Sequence, residues 1–315
     1  MSIPRVTSSM LAVLLLCMAA CRKDPEFVVT EEGICVPTPP SPLTGWNYIP
    51  EMNTLDDARF NPDNPQECMF STGPIGSPRK VWIYNLQTRQ LRLVFSSRLI
   101  FPCEWGPPGW ISLNAGDENV YKIKTNGDSL TQLTFTGGCY APIWDRPRER
   151  IGFYTSIGSS FIIDSHGTYL DTLEAPCSMY DGAQWYDPFW ITSATPVDLR
   201  RANIVDCQVD VLAHYSANNS GGGTGVTHIS EHAVVWSTDA GVWSTDINTH
   251  QTTKLLTTCN ASYYVGLSYH PAINKLLTIR VDRVPDGNDL YIYTTLVRMN
   301  PDGTGQELLD IPFPE

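Results

Sequence analysis

The chain has 315 residues, a formal net charge of −12, only 17% charged residues, 9 Trp, 14 Tyr and 24 Pro. A surface this acidic repels phosphate backbones, which excludes nucleic acid as a partner. Many aromatic, Gly and Pro residues with few charges point to short strands joined by tight turns, and helix signals are nearly absent. The first segment has the three parts of an export signal: Arg5, an apolar run from Met10 to Met18, and the small pair Ala19 and Ala20 before Cys21. That run is too short to cross a bilayer as a helix, and no later stretch has the length or apolar continuity to do so.

Met18-Ala19-Ala20-Cys21 resembles the lipobox of bacterial lipoproteins, with Met18 where Leu is usual. The resemblance implies cleavage before Cys21, a lipid on its sulfur and a peripheral membrane anchor; an ordinary secretory signal with an incidental cysteine is the alternative. Arg22, and not Asp, follows the cysteine, which by the lipoprotein sorting rule implies the outer membrane. Lys23-Asp24-Pro25-Glu26 is similar to the charged signals that send some lipoproteins to the cell surface, so a periplasmic and a surface-exposed body both stay open. The expected division is a signal peptide over 1–20, a tether over 21–50 marked by Pro37-Thr38-Pro39-Pro40-Ser41-Pro42, and a folded body over 51–315.

Within the body one segment recurs: an apolar strand, a polar turn, a second strand. Its copies begin at Val81, Val120, Ser160, Val242 and Leu296, at intervals of 39, 40, 82 and 54. The interval of 82 is close to two periods and places a degenerate copy near Ala202, with Asn203-Ile204-Val205-Asp206 as the candidate. The interval of 54 contains an inserted hairpin over 281–294 with Pro285-Asp286-Gly287-Asn288 at its tip. That makes six units. A second element precedes each copy and carries aromatic anchors at Phe60, Trp105, Trp144 and Trp185, spaced 45, 39 and 41. One period holds four short strands, which is one propeller blade, and the expected fold is an all-β, six-bladed β-propeller of four-stranded antiparallel blades. The anchors are expected to pack blade against blade.

The succession aromatic, polar, Pro, Asp, then Ile-x-x-x-Asn/Asp-x-x-Gly and Leu-Thr resembles the TolB-like propeller repeat, best in 125–134 and 299–305. Gly-His and Trp-Asp dipeptides do not recur at WD-repeat spacing. The resemblance implies a docking platform of the cell envelope. The chain shows no additional N-terminal domain of the TolB kind, so it does not imply the same transport system.

His228-Ile229-Ser230-Glu231-His232 spells a zinc-peptidase motif, but the spelling works only on a helix. On a strand the two histidines stand ~13 Å apart, and a solvated strand edge is expected. Asn300-Pro301-Asp302-Gly303 opens like a calcium loop, yet Ile311 stands where a bidentate Glu is required. With no nucleophile elbow, phosphate loop or Cys-x-x-Cys pair, no catalytic residue, metal or cofactor is expected.

Seven cysteines follow Cys21, an odd number. Cys103, Cys139, Cys177 and Cys259 precede inner strands at intervals of 36, 38 and 82, which places them on one face. Independent buried thiols, disulfides between neighbouring loops such as Cys103 with Cys139, and a soft-metal site are the three readings. Beside those loops stand Tyr140, Tyr180, Asp181, Asn260, Tyr263 and Tyr264, the candidate ligand-binding residues. The functional expectation is an envelope lipoprotein whose propeller binds a protein or a glycan and does not catalyse. The alternative is a propeller enzyme such as a polysaccharide lyase; a serine peptidase would need a hydrolase domain that the chain lacks.

Overall fold

The computed structural model describes residues 47–50, 53–73, 78–98, 103–173, 175, 177–179, 182–186, 189–195, 198–214, 225–238, 241–257, 262–286 and 289–314. Six sheets make up the chain, antiparallel except for one short parallel strand in the last, and no α-helix occurs among the described residues. Blades 1 to 5 each have four strands in sequence order, for example Leu55–Asn61, Asn64–Thr72, Arg79–Asn85 and Leu91–Ser97 in blade 1. The inner strands of blades 2 to 5 are Glu104–Trp105, Cys139–Asp145, Gln184–Trp185 and Gly225–His228.

Blade 6 is built differently. Its first three strands are Ser262–His270, Lys275–Asp286 and Asp289–Met299, and the last two form the long hairpin read from the inserted segment. Two short strands share the fourth position. Asn47–Pro50 pairs in parallel with Asp289–Ile292, and Glu307–Leu309 pairs antiparallel with Leu296–Arg298. The first described strand, Asn47–Pro50, thus belongs to a blade although it falls inside the stretch expected to be tether. Both ends of the body are tied to one strand, which covers an edge otherwise left with unpaired backbone groups.

Each interface between neighbouring blades holds its own apolar core, as two-faced sheets in a ring require. Met69, Val81 and Ile83 of blade 1 meet Trp105, Ile111 and Leu113 of blade 2, and the same arrangement recurs around the ring. The last core joins Leu277, Ile279 and Leu296 of blade 6 to Phe60, Phe70 and Trp82 of blade 1, so the ring is closed. At about 1.5–3 kcal/mol for each large apolar side chain withdrawn from water, these six cores are the main favourable term in folding.

A repeated polar device terminates the third strands. Asn85, Asn126, Asp164, Asn203, Asp246 and Asp302 each accept, through Oδ1, the N–H of the residue two positions on, at 2.8–3.0 Å. The same side-chain turn recurs in all six blades, and at Asp164 and Asp302 it coincides with the Asn/Asp-x-x-Gly signature. It also corrects the degenerate copy. The third strand of blade 4 is Asp198–Asn203, and Asn203-Ile204-Val205-Asp206 is the turn that follows it. Arg200 and Arg201 break the apolar run of that strand, which displaced the sequence match towards the turn.

Candidate functional site

Chain direction defines two faces. Every inner strand starts on an upper face, where the chain arrives from the preceding blade, and ends on a lower face. On the lower face the six inner strands surround a half-open cavity of about 330 Å³. Every inner strand contributes to its lining, through Arg59, Glu104, Ile143, Gln184, Thr227 and Ser268 and, in five of the six, through the residue that follows. The wall runs from buried Phe60 and Trp144 to exposed Pro62 and Pro271 at the rim, giving a funnel on the propeller axis.

The residues just after those six are Phe60, Trp105, Trp144, Trp185, His228 and Tyr269. They interlock neighbouring blades. Trp105 Nε1 donates to the Arg59 carbonyl at 3.2 Å and Trp185 Nε1 to the Ile143 carbonyl at 3.4 Å. The backbone N–H groups of His228, Tyr269 and Phe60 donate to Gln184 Oε1, Thr227 Oγ1 and Ser268 Oγ. The junction between blades 2 and 3 departs from this pattern: Trp144 Nε1 is buried without a hydrogen-bond partner. The indole lies against Gly106, where a Cβ would stand 2.8 Å from its Cε2.

Arg59 spans three blades. Its Nη1 donates to the Leu267 carbonyl of blade 6 at 2.6 Å, its Nη2 pairs with Asp57 at 3.0 Å, and its Nε faces Glu104 of blade 2 at 3.6 Å. Burial alone would disfavour the charged guanidinium, but Asp57, Glu104 and Asp56 outweigh it and hold the proton more firmly than usual. Burial pushes the Glu104 carboxyl up to about 7, against the pull of Arg59. Arg146, on the rim, donates to the Gly106 carbonyl at 2.7 Å and pairs with Asp63 at 2.5 Å.

His228 corrects the expectation of a solvated edge. It ends the inner strand of blade 5, stacks on Tyr186 with centroids 4.3 Å apart, and meets Thr192 Oγ1 through Nε2 at 2.8 Å. Burial, helped by Arg201, pushes its pKa down to about 4, so the ring is neutral near pH 7. His232 is exposed beside Asn248 in the following turn, and the motif is not helical. His228 is thus the missing anchor of the fifth blade, 43 residues after Trp185 and 41 before Tyr269. That interval was readable, but a His where Trp is the rule concealed it. On the neighbouring blade 6, burial lowers the pKa of His270, opposed by the carbonyls of Asn61 and Pro62.

Of the residues expected to bind, Tyr140, Tyr263 and Tyr264 do not line this cavity. Tyr140 and Tyr263 stand near the upper starts of their inner strands; Tyr140 donates to Glu118 Oε2 at 2.8 Å, and Tyr263 lies beneath the Arg283 guanidinium at 4.5 Å. Tyr264 is buried in the core between blades 5 and 6 and donates to Gln306 Oε1 at 3.1 Å. As neighbours on one strand, Tyr263 and Tyr264 face opposite sides of blade 6, so they do not share a pocket. Tyr180, Asp181, Cys259, Asn260 and Cys21 lie outside the described residues.

The thiols do not form one cluster. Cys68, Cys103 and Cys139 are separate buried free thiols in three interblade cores, and Cys103 does not pair with Cys139. Burial raises the Cys68 and Cys103 thiols, as expected of inert core cysteines. Cys177 instead forms a disulfide with Cys207, with Cα atoms 5.3 Å apart. The shared phase put Cys177 with the wrong set because Cys207 sits in a third-to-outer turn, outside the inner-strand register. Among the described residues no group of three or more His, Cys, Asp or Glu is placed to hold a metal.

A closed six-bladed β-propeller with a polar and aromatic funnel at one end of its axis is therefore the class this chain defines. Its fold is shared with TolB. A putative TolB from Agrobacterium tumefaciens is similar at 16% identity with a TM-score of 0.58, over 74% of this chain and 89% of that one. TolB from Acinetobacter baumannii gives 17% and 0.57 over 81% and 62%, and the tricorn protease 13% and 0.60 over 84% and 27%. At these identities the likeness is one of fold. No family model and no curated protein sequence matches the chain.

Proposed function

We propose that this protein is an envelope-tethered binding scaffold that docks a partner protein on the lower face of its propeller. The observation that carries the reading is the funnel and its apolar shoulder. Phe189 and Val205, 52% and 73% exposed, sit on adjacent turns of blade 4 joined by the Ile204 N–H to the Phe189 carbonyl at 2.8 Å. Both turns lie on the funnel's face, so the pair adds apolar surface beside a concave site. The lipobox supports a tether through Cys21, with the body on either side of the outer membrane.

Affinity capture from native membranes tests this. A reproducible partner recovered by the wild type and lost with Phe189→Asp plus Val205→Asp supports docking; recovery unchanged by those substitutions overturns it. Cys21→Ser is expected to abolish incorporation of labelled palmitate, and labelling that persists would remove the lipid from the reading.

The second reading is a lyase-like enzyme, favoured by the convergence of Arg59, Glu104 and His228 on the funnel. Against it, Arg59 is committed to Asp57 and Leu267. Formation of unsaturated uronate from pectin or alginate, read by ultraviolet absorbance, would replace the binding reading with this one.

A further inference from the structure

Two interblade grooves of the ring carry an aromatic pair at the same repeat position, and the chain fills one of them itself. In blade 1, Phe70 and Trp82 are cross-strand partners, and Trp82 stands three residues before Asn85, which closes the third strand. In blade 5, Trp236 and Trp243 are cross-strand partners, and Trp243 stands three residues before Asp246, which closes the equivalent strand. Cross-strand partners share a face of their sheet, and in both blades that face is turned to the preceding blade of the ring.

Between blades 6 and 1 the pair is covered. The outer strand of blade 6 ends at Leu309; Ile311 and Phe313 then pack against the core, with Phe313 edge-on to Phe70 at 6.3 Å and to Trp82 at 6.2 Å. Asp310 anchors this strap: its carbonyl accepts from the Tyr84 hydroxyl at 3.2 Å, and its carboxylate pairs with Arg89 at 2.9 Å. Beneath the strap Phe70 is fully buried and Trp82 only 5% exposed.

Between blades 4 and 5 the same position is open. A cavity of about 480 Å³ lies there, lined by Leu212, Ala213 and His214 of blade 4 and by Trp236, Trp243 and His250 of blade 5. Trp243 is half-buried where its counterpart Trp82 is buried. A cavity of about 150 Å³ suffices for a benzene ring, so this one takes an aromatic side chain with its flanking backbone.

The charges match the strap as well. Arg89, which holds Asp310, is four residues past Asn85, and the residue four past Asp246 is His250, on the cavity wall. Lys254, the cross-strand partner of Trp243, places its ammonium 4.8 Å from the centroid of that ring and has no ion-pair partner among the described residues. The carboxylates of blade 4 at this margin are committed, Asp198 to His214 and Asp210 to Arg201 and His250. The groove therefore offers aromatic surface beside an uncompensated cation, which favours an anionic group next to the inserted ring.

We propose that the groove between blades 4 and 5 docks an extended segment of a partner protein in which a carboxylate lies close to an aromatic side chain, the chemistry that Asp310 and Phe313 supply to blade 1. The site shares no residue with the funnel or with Phe189 and Val205, so it stands independently of docking on the lower face.

Saturation-transfer NMR on the full-length protein in detergent tests it, with an amidated peptide copying residues 309–314 as the probe. Transfer to the phenylalanine ring protons, and none to a control peptide with Ala in place of Phe, is the expected result. Trp243→Ala should weaken binding by about tenfold or more, and Lys254→Glu by about 3–5-fold. Lys254 is exposed, so the second variant reads the groove even where loss of Trp243 lowers stability. Silence up to about 1 mM peptide would overturn the proposal. So would binding unchanged in either variant, which would put the peptide in place of the native strap on blade 1. Sedimentation showing a dimer that Trp243→Ala dissociates would make a second copy of the chain the occupant, and would overturn it too.

Discussion

The Arg59 guanidinium reaches the Leu267 carbonyl at 2.6 Å and so joins the first blade to the last across a sequence separation of 208 residues. The same side chain pairs with Asp57 and faces Glu104, so one buried cation binds blades 6, 1 and 2 together at the funnel floor. Ring closure and the site are consequently coupled.

Arg59→Met should be strongly destabilising, by about 3–5 kcal/mol, because it removes the buried cation that pairs with Asp57 and bonds the Leu267 carbonyl. Urea unfolding monitored by Trp fluorescence measures it. A loss within about 0.5 kcal/mol would show that the apolar core between blades 6 and 1 closes the ring unaided.

Glu104 sets a pH dependence with a definite sign. Burial holds its folded-state pKa at about 7, above the ordinary 4.5, so the folded protein binds this proton more tightly than the unfolded chain. The contribution is full below 4.5 and is lost as the pH rises through about 7. His228 acts oppositely: lowered from 6.5 to about 4, it favours folding above 6.5 and loses that contribution as the pH falls through about 4. The difference between wild type and Glu104→Gln isolates the carboxyl. In urea midpoints across the window from 4.5 to 7, the wild type should lose stability relative to the variant as the pH rises. Parallel curves would refute this.

The Cys177–Cys207 disulfide closes a segment with a sequence separation of 30. On the chain-entropy estimate, replacing both by Ser should cost roughly 3–4 kcal/mol. Peptide mapping without reduction should recover this pair, while Cys68, Cys103 and Cys139 react with iodoacetamide only after unfolding. A Cys103–Cys139 peptide would contradict the arrangement.

Gly106 lies under the Trp144 indole, and a Cβ there would stand 2.8–3.1 Å from three of its atoms. Gly106→Ala should therefore cost about 1–3 kcal/mol by overpacking and shift the Trp144 ring. Thermal unfolding measures the first effect and the fluorescence emission maximum the second. An alanine variant indistinguishable from wild type in both would mean that the indole can move away freely.

The blades were legible in the sequence because a repeated structural unit must repeat its burial. Phe60, Trp105 and Trp144 recur at near-constant spacing since each seals one interblade core, and Asn85, Asn126, Asp164, Asp246 and Asp302 recur since each closes the same turn. The funnel was not legible. Besides the periodic anchors, it is lined by Arg59, Glu104, Ile143, Gln184, Thr227 and Ser268, six different residues with no shared chemistry, which only closure of the ring brings to one axis. The Cys177–Cys207 bond is hidden for a related reason: it joins the connection leading into blade 4 to a turn within that blade, and chain spacing carries no trace of that contact. Periodicity in the sequence thus determined the architecture through local burial and turn chemistry, whereas the tertiary structure alone decided which face is concave and which charges meet, because those depend on distances between residues far apart in the chain.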